Sequence, residues 1–209
     1  MQSPNWILWN MFLSAIPVGL VYLWTYCIRH YSLKRRGVHW LAFTPLIVLW
    51  VAFLPNTCYL LTEWRHFLFD RDFVEMRDAA GSDRTLMLHV ARQGLFFLCY
   101  SGFGVLCLLY AIRPAEQFLT KLRVQKALWM VPLFLFTSLG VYLGLIVRLN
   151  SWEIVSRPLG VWDTTLNALS SSLVVKTVVV FAFLLWICYE IASVWADGLT
   201  LRIKQKRLV

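Results

Sequence analysis

The chain has 209 residues, of which 59% are apolar and 15% charged, with a mean hydropathy of +0.64. A soluble domain carries about 45–50% apolar and about 25% charged residues, so the composition excludes an ordinary water-soluble core of this length. The formal net charge of +9 does not indicate nucleic acid, because the basic residues fall in short clusters between apolar blocks and form no continuous basic face.

In chain order the sequence predicts an all-α bundle, a single integral membrane domain over residues 1–209 with five transmembrane helices. A helix crossing the hydrocarbon core needs about 20 largely apolar residues. The first such segment, 6–28, is interrupted only by Asn10, Ser14 and Thr25. No basic region precedes it and no small-x-small site follows, so it is expected to be retained and not cleaved as a signal peptide. The second segment, 40–61, contains Pro45 and Pro55. The third spans 92–112, with a helical approach beginning near Thr85. The fourth is 127–147. A short helix starting at Trp152 is expected next, capped by Asn150 or Ser151, then an interfacial helix from Asp163 to Ser170 capped by Asp163. The fifth segment, 173–196, has Lys176 near one end and Glu190 near the other. Cys27, Cys58, Cys99, Cys107 and Cys188 all lie in apolar blocks without a CxxC pair, and are expected to behave as small hydrophobes.

The connections predict an orientation. Twelve basic residues fall in the first and third loops and the tail: Arg29, Lys34, Arg35, Arg36, Arg113, Lys121, Arg123, Lys126, Arg202, Lys204, Lys206 and Arg207. The second and fourth loops hold six: Arg65, Arg71, Arg77, Arg84, Arg148 and Arg157. Positive residues are retained in the cytoplasm, so the amino terminus is expected outside and the carboxyl terminus inside. Gly140 and Gly144 form a GxxxG in the fourth helix, and the third carries Gly102 and Gly104. These small residues predict a close packing seam.

Unusual residues collect at the outer ends. Asn56, Tyr59, Glu63, His66 and Asp70 follow steps of three and four, which places them on one face if the second helix continues past the membrane boundary. Pro55 disturbs the backbone one turn earlier, and Asn56 or Thr57 is positioned to compensate. The third helix brings His89 and Arg92, the fourth Arg148, Asn150, Trp152 and Glu153, and the fifth Lys176. Polar groups at membrane depth are costly and usually face a cavity or one another, which makes this layer the candidate site. Arg92 and Arg148 are candidates either for ion pairs with Glu63 or Glu153 or for an anionic ligand; Lys176 is read as an interfacial residue. Glu63 and His66 form a single E-x-x-H, half of what a carboxylate-bridged metal pair requires. No cofactor is expected, and one divalent metal at Glu63, His66 and His89 is the weaker alternative. Trp6, Trp40, Trp64, Trp152, Trp162 and Trp195 are expected at the interfaces.

Two stretches carry a family resemblance. Phe53-Leu54-Pro55-Asn56, Tyr59, Thr62 and His66 match one block, and Gly140, Tyr142-Leu143-Gly144, Arg148 and Asn150-Ser151-Trp152 match another. Together they resemble a bacterial multi-pass membrane family, the domain of unknown function 1361. Glu63 and Glu153 stand where aspartates are expected, Leu145 replaces an arginine, and the Trp-Tyr-Asp expected near His89 is missing. The resemblance implies a short multi-pass protein of the bacterial cytoplasmic membrane and supplies no mechanism.

The expected function is that of an integral inner-membrane protein with a polar site at its outer face, binding or processing an amphiphilic, lipid-like substrate. Arg92 and Arg148 would hold an anionic headgroup, with Glu63 and His66 as acid and base and Asn56, Tyr59, His89, Asn150, Trp152 and Glu153 lining the site. Membrane lipid is the expected partner. A non-enzymatic accessory or assembly subunit bound to another membrane protein is the alternative, and a small transporter the third. Oligomeric state is left open.

Overall fold

The computed structural model describes residues 4–31, 38–69, 71–81, 83–149 and 153–206. All its regular elements are helical: α1 (Pro4–Tyr31), α2 (Val38–Phe53), α3 (Pro55–Thr62), α4 (Trp64–Phe69), α5 (Arg71–Ala79), α6 (Arg84–Lys121), α7 (Lys126–Tyr142), a π segment (Leu143–Val147), α8 (Glu153–Ser156), α9 (Pro158–Leu169) and α10 (Ser172–Lys206). Among the described residues, five helical stretches are long and apolar enough to cross a membrane: Asn5–Ile28, Phe43–Phe69, Arg84–Lys121, Lys126–Val147 and Ser172–Lys206. The chain is therefore an all-α polytopic bundle.

Local chemistry sets the breaks. Pro55 lacks an N–H and cannot serve the Val51 carbonyl one turn back. The Leu54 N–H takes over, reaching Trp50 O at 3.0 Å and Val51 O at 3.3 Å. Thr57, as anticipated, also steadies the joint, its hydroxyl donating to Leu54 O at 2.8 Å. Helix α6 starts where Asp83 accepts from the Thr85 N–H at 2.7 Å, an N-cap that fits the expected approach near Thr85.

Three expectations need correction. The helices continue past the segments expected to cross the membrane, α6 to Lys121 and α10 to Lys206, so that residues assigned to the third loop fall within α6. Arg113, Glu116 and Lys121 are thus helical, not loop, residues. At 38 residues α6 is about 57 Å long, nearly twice the hydrocarbon thickness. The helix after Arg157 begins at Pro158, a residue whose missing N–H costs nothing in a first turn, and Asp163 sits inside it without capping it. Gly102 meets open space, and only Gly104 of that pair is a packing residue.

Helix α6 is the hub, packing against α1, α3 and α10, while α7 packs against α10 and α3. The core is aromatic as well as aliphatic: Trp24 and Trp50 stack at 6.2 Å, and Trp24 meets Phe118 edge-on at 5.5 Å. The Trp50 indole donates to Ala111 O at 2.9 Å and so ties α2 to α6. At the opposite end of α6, Phe67 packs on Gly94 and Phe97, and Trp64 on Phe97. This docks α4 onto the bundle and makes Trp64 a packed, half-buried residue.

Candidate functional site

The two sequence blocks meet in space. Helix α3 is gripped on two sides by glycines of its neighbours. On one side, a Cβ at Gly104 would lie 2.8 Å from the Thr57 carbonyl and 2.9 Å from Leu60 Cβ, and the Ser101 hydroxyl donates to Leu60 O at 3.2 Å. On the other, a Cβ at Gly140 would collide with the Pro55 ring and one at Gly144 with the Tyr59 ring. The Tyr59 hydroxyl donates to Gly140 O at 3.3 Å. Pro55 and Tyr59 are four residues apart, as are Gly140 and Gly144, so one helical turn of each block seats on one turn of the other. The GxxxG is therefore an intramolecular seam.

At the Gly144 end of the seam the α7 helix loses its regular register. The π segment Leu143–Val147 follows Tyr142 and stops at Arg148, which adopts a left-handed conformation (φ 64°) while the Leu149 N–H returns to Leu143 O at 3.1 Å. Left-handed backbone costs a non-glycine residue roughly 1–2 kcal/mol, and π turns are frequent at functional sites. A cleft of about 290 Å³ opens beside this segment, between α2/α3, α7 and α9. Its walls are apolar apart from Tyr59 and Thr165, with Ala52, Pro55, Leu139, Leu149 and Trp162 among them. The Thr165 hydroxyl donates to Val161 O at 2.7 Å and the Tyr59 hydroxyl to Gly140 O at 3.3 Å, the longer and weaker of the two bonds. The cleft volume sits at the low end of the roughly 300–1,000 Å³ typical of small-molecule sites.

The expected polar layer divides into three parts. Asn56 and Glu63 are buried, 4% and 5% exposed, and both are engaged in polar interactions. The buried Tyr100 hydroxyl of α6 lies near Glu63 and Asn10 and has no hydrogen-bond partner among the described residues. Tyr59 lines the cleft, whereas Arg148, next in sequence to the cleft residue Leu149, and Glu153 are not among its lining residues. Glu153 is 8% exposed and accepts from Arg157, not from Arg148, whose side chain is exposed. His89 and Arg92 share a face of α6, as their spacing predicts, but it is the exposed face; Val90, Gln93, Gly94 and Phe97 are the residues turned toward the bundle. Lys176 is also exposed. Asn150 and Trp152, and the side chain of His66, lie outside the described residues, as does Asp70. Among the described residues no three His, Cys, Asp or Glu side chains stand close enough together to hold a metal ion.

Sequence reasoning passed over two groups. Asn10 and Tyr100 have no signal beyond being polar in apolar helices. At the other end, Lys126 bridges Glu116 at 2.8 Å and Glu190 at 2.7 Å, the Trp186 indole donates to Glu190 at 2.9 Å, and the Tyr189 hydroxyl donates to Glu116. Acids at the ends of two apolar segments with a lysine opening a third were the available clue.

The sequence profile of a family described as a protein of unknown function, DUF1361, matches residues 9–188. No curated protein and no solved structure matches the chain. The matched region contains both blocks and all five spans in whole or in part, and the chain belongs to the DUF1361 family.

Proposed function

We propose that the protein binds an amphiphile in the cleft beside the π segment, from the bilayer of a bacterial cytoplasmic membrane, with the amino terminus outside and the carboxyl terminus inside. The observation that carries this reading is the cleft itself, an apolar chamber built from both family blocks, with two arginines next in sequence to its lining residues. Arg148 immediately precedes the cleft residue Leu149, and Arg157 immediately precedes the cleft residue Pro158. An acyl chain would occupy the chamber and an anionic headgroup would meet Arg148, the basic residue there that Glu153 does not take. The Tyr59 hydroxyl would bond a linkage oxygen by giving up its long 3.3 Å bond to Gly140 O. Glu63 and His66 would serve as acid and base only for a substrate that reaches the α3–α4 joint, and binding does not depend on them. The orientation follows from the uneven distribution of basic loops.

Binding is tested by retention of anionic lipid on the purified protein, followed by native mass spectrometry. Ala52→Phe fills the chamber without touching the seam and is expected to abolish retention. Arg148→Ala removes a charge-assisted hydrogen bond worth about 1.5–3 kcal/mol and is expected to weaken binding about tenfold or more. Unchanged retention in both variants would overturn the reading in favour of a purely structural role for the blocks.

A further inference from the structure

A second lateral groove, of about 460 Å³, lies at the opposite end of the bundle, where α1 and α10 diverge as they pack on α6. We propose that it holds one phospholipid whose headgroup carries a primary ammonium, taken from the leaflet at the basic end of the protein. Three observations carry this.

The first is depth. Along α6 the groove is lined from Leu106 through Leu109 and Arg113 to Gln117, steps of three and four that keep one face. These residues rise about 16 Å, which matches the half-thickness of a roughly 30 Å hydrocarbon core. Leucines line the membrane side, and Arg113 and Gln117 the end that follows the last apolar turn. The α6 wall of the groove therefore changes from acyl-like to headgroup-like surface over one leaflet, while Leu199 and Ile203 of α10 continue an apolar wall past Asp197.

The second is charge. Arg113 is paired with Asp197 across α6 and α10, and the Asp197 side chain remains 60% exposed. A cation and an anion side by side match a headgroup that bears a phosphate and an ammonium a few atoms apart. The carboxylate opposes a headgroup with only negative charge. It also favours N–H donors over a quaternary ammonium, which has none.

The third is a backbone acceptor that lacks its regular helical donor. Pro114 and Tyr110 both line the groove. Pro114 has no N–H, so the Tyr110 carbonyl loses its usual donor one turn on. Trp195, 60% exposed at the rim, has the amphipathic ring favoured at headgroup level.

Detergent-purified protein would be incubated with phosphatidylethanolamine, phosphatidylcholine and phosphatidylglycerol of identical chains, and bound lipid counted by native mass spectrometry. The ethanolamine lipid is expected to be retained about tenfold over the other two. Asp197→Asn is expected to erase its advantage over the choline lipid, and Arg113→Gln to lower retention of all three. Thr200→Trp fills the groove, leaves both charges in place, and is expected to abolish the ethanolamine preference with thermal unfolding unchanged. Equal retention of the three lipids by the unaltered protein, a preference for the glycerol lipid, or a preference that survives Thr200→Trp would overturn the proposal. Ala52→Phe, at the other cleft, is expected to leave this preference intact, so the two sites fail separately.

Discussion

At the scale of single residues, the contact between Tyr59 and Gly144 is the most constrained place in the fold. Any added Cβ at Gly144 must displace an aromatic ring held between two helices, and at Gly140 it must displace a proline ring that has no rotamer to yield. Overpacking of this kind costs about 1–3 kcal/mol. Gly140→Ala and Gly144→Ala are each expected to lower thermal stability by that order, whereas Gly102→Ala, facing open space, should be neutral or slightly stabilising. Tyr59→Phe removes the hydroxyl that a new methyl at 144 would strike first. It sacrifices only a long 3.3 Å hydrogen bond and should partly rescue Gly144→Ala. A double-mutant cycle reads this directly; simple additivity would mean that the two residues are not in contact. Sequence reasoning reached these glycines because small residues at i and i+4 in an apolar helix have few other uses. Which helix they accept was not legible, because the partner ridge, Pro55 and Tyr59, looked like functional chemistry.

At the scale of elements, the ends of the helices were the hard part. Hydropathy reports where the apolar run stops, and both helices continue beyond that point, α6 as a largely packed extension through Ala115 and Phe118 and α10 as exposed helix. Glu116 and Lys126 consequently lie in helices and face each other across the α6–α7 turn, with Arg123 in left-handed backbone (φ 58°) closing it. Lys126 joins three spans by bridging Glu116 on α6 and Glu190 on α10. Its side chain is 43% exposed and that of Glu190 is 39% exposed, so screened pairs of this sort contribute only about 0–1 kcal/mol each. Lys126→Met is expected to destabilise the bundle by about 1 kcal/mol at low salt. The loss should shrink as ionic strength rises toward about 1 M, where the Debye length falls to about 3 Å. A salt-independent loss would identify packing, not charge, as the role of Lys126.

At the scale of the whole molecule, five spans were legible because nothing else explains apolar runs of that length, yet the convergence of polar side chains on one outer layer was only partly so. Level along the membrane normal can be read from sequence position; rotation about each helix axis cannot, because lipid is as apolar as a protein interior and the outward face carries no compositional mark. His89 and Arg92 illustrate this, being exposed although His89 is one turn from the inward-turned Gln93. Orientation is a different kind of question, since it depends on loop charge and not on packing. In a variant with Cys27, Cys58, Cys99, Cys107 and Cys188 replaced by serine or alanine, single cysteines at Arg77 and Arg157 are expected to react with a membrane-impermeant maleimide applied to intact cells. Cysteines at Arg123 and Lys204 should react only after permeabilisation. All four positions are charged residues next to or beyond apolar spans, and Arg77 and Arg157 are exposed in the short helices and turns between them, so labelling should report sidedness without disturbing the core. The reverse labelling pattern would place the amphiphile cleft in the cytoplasmic leaflet and the ammonium-selective groove in the outer one. Both sites would then keep their chemistry and exchange the lipid pools from which they draw.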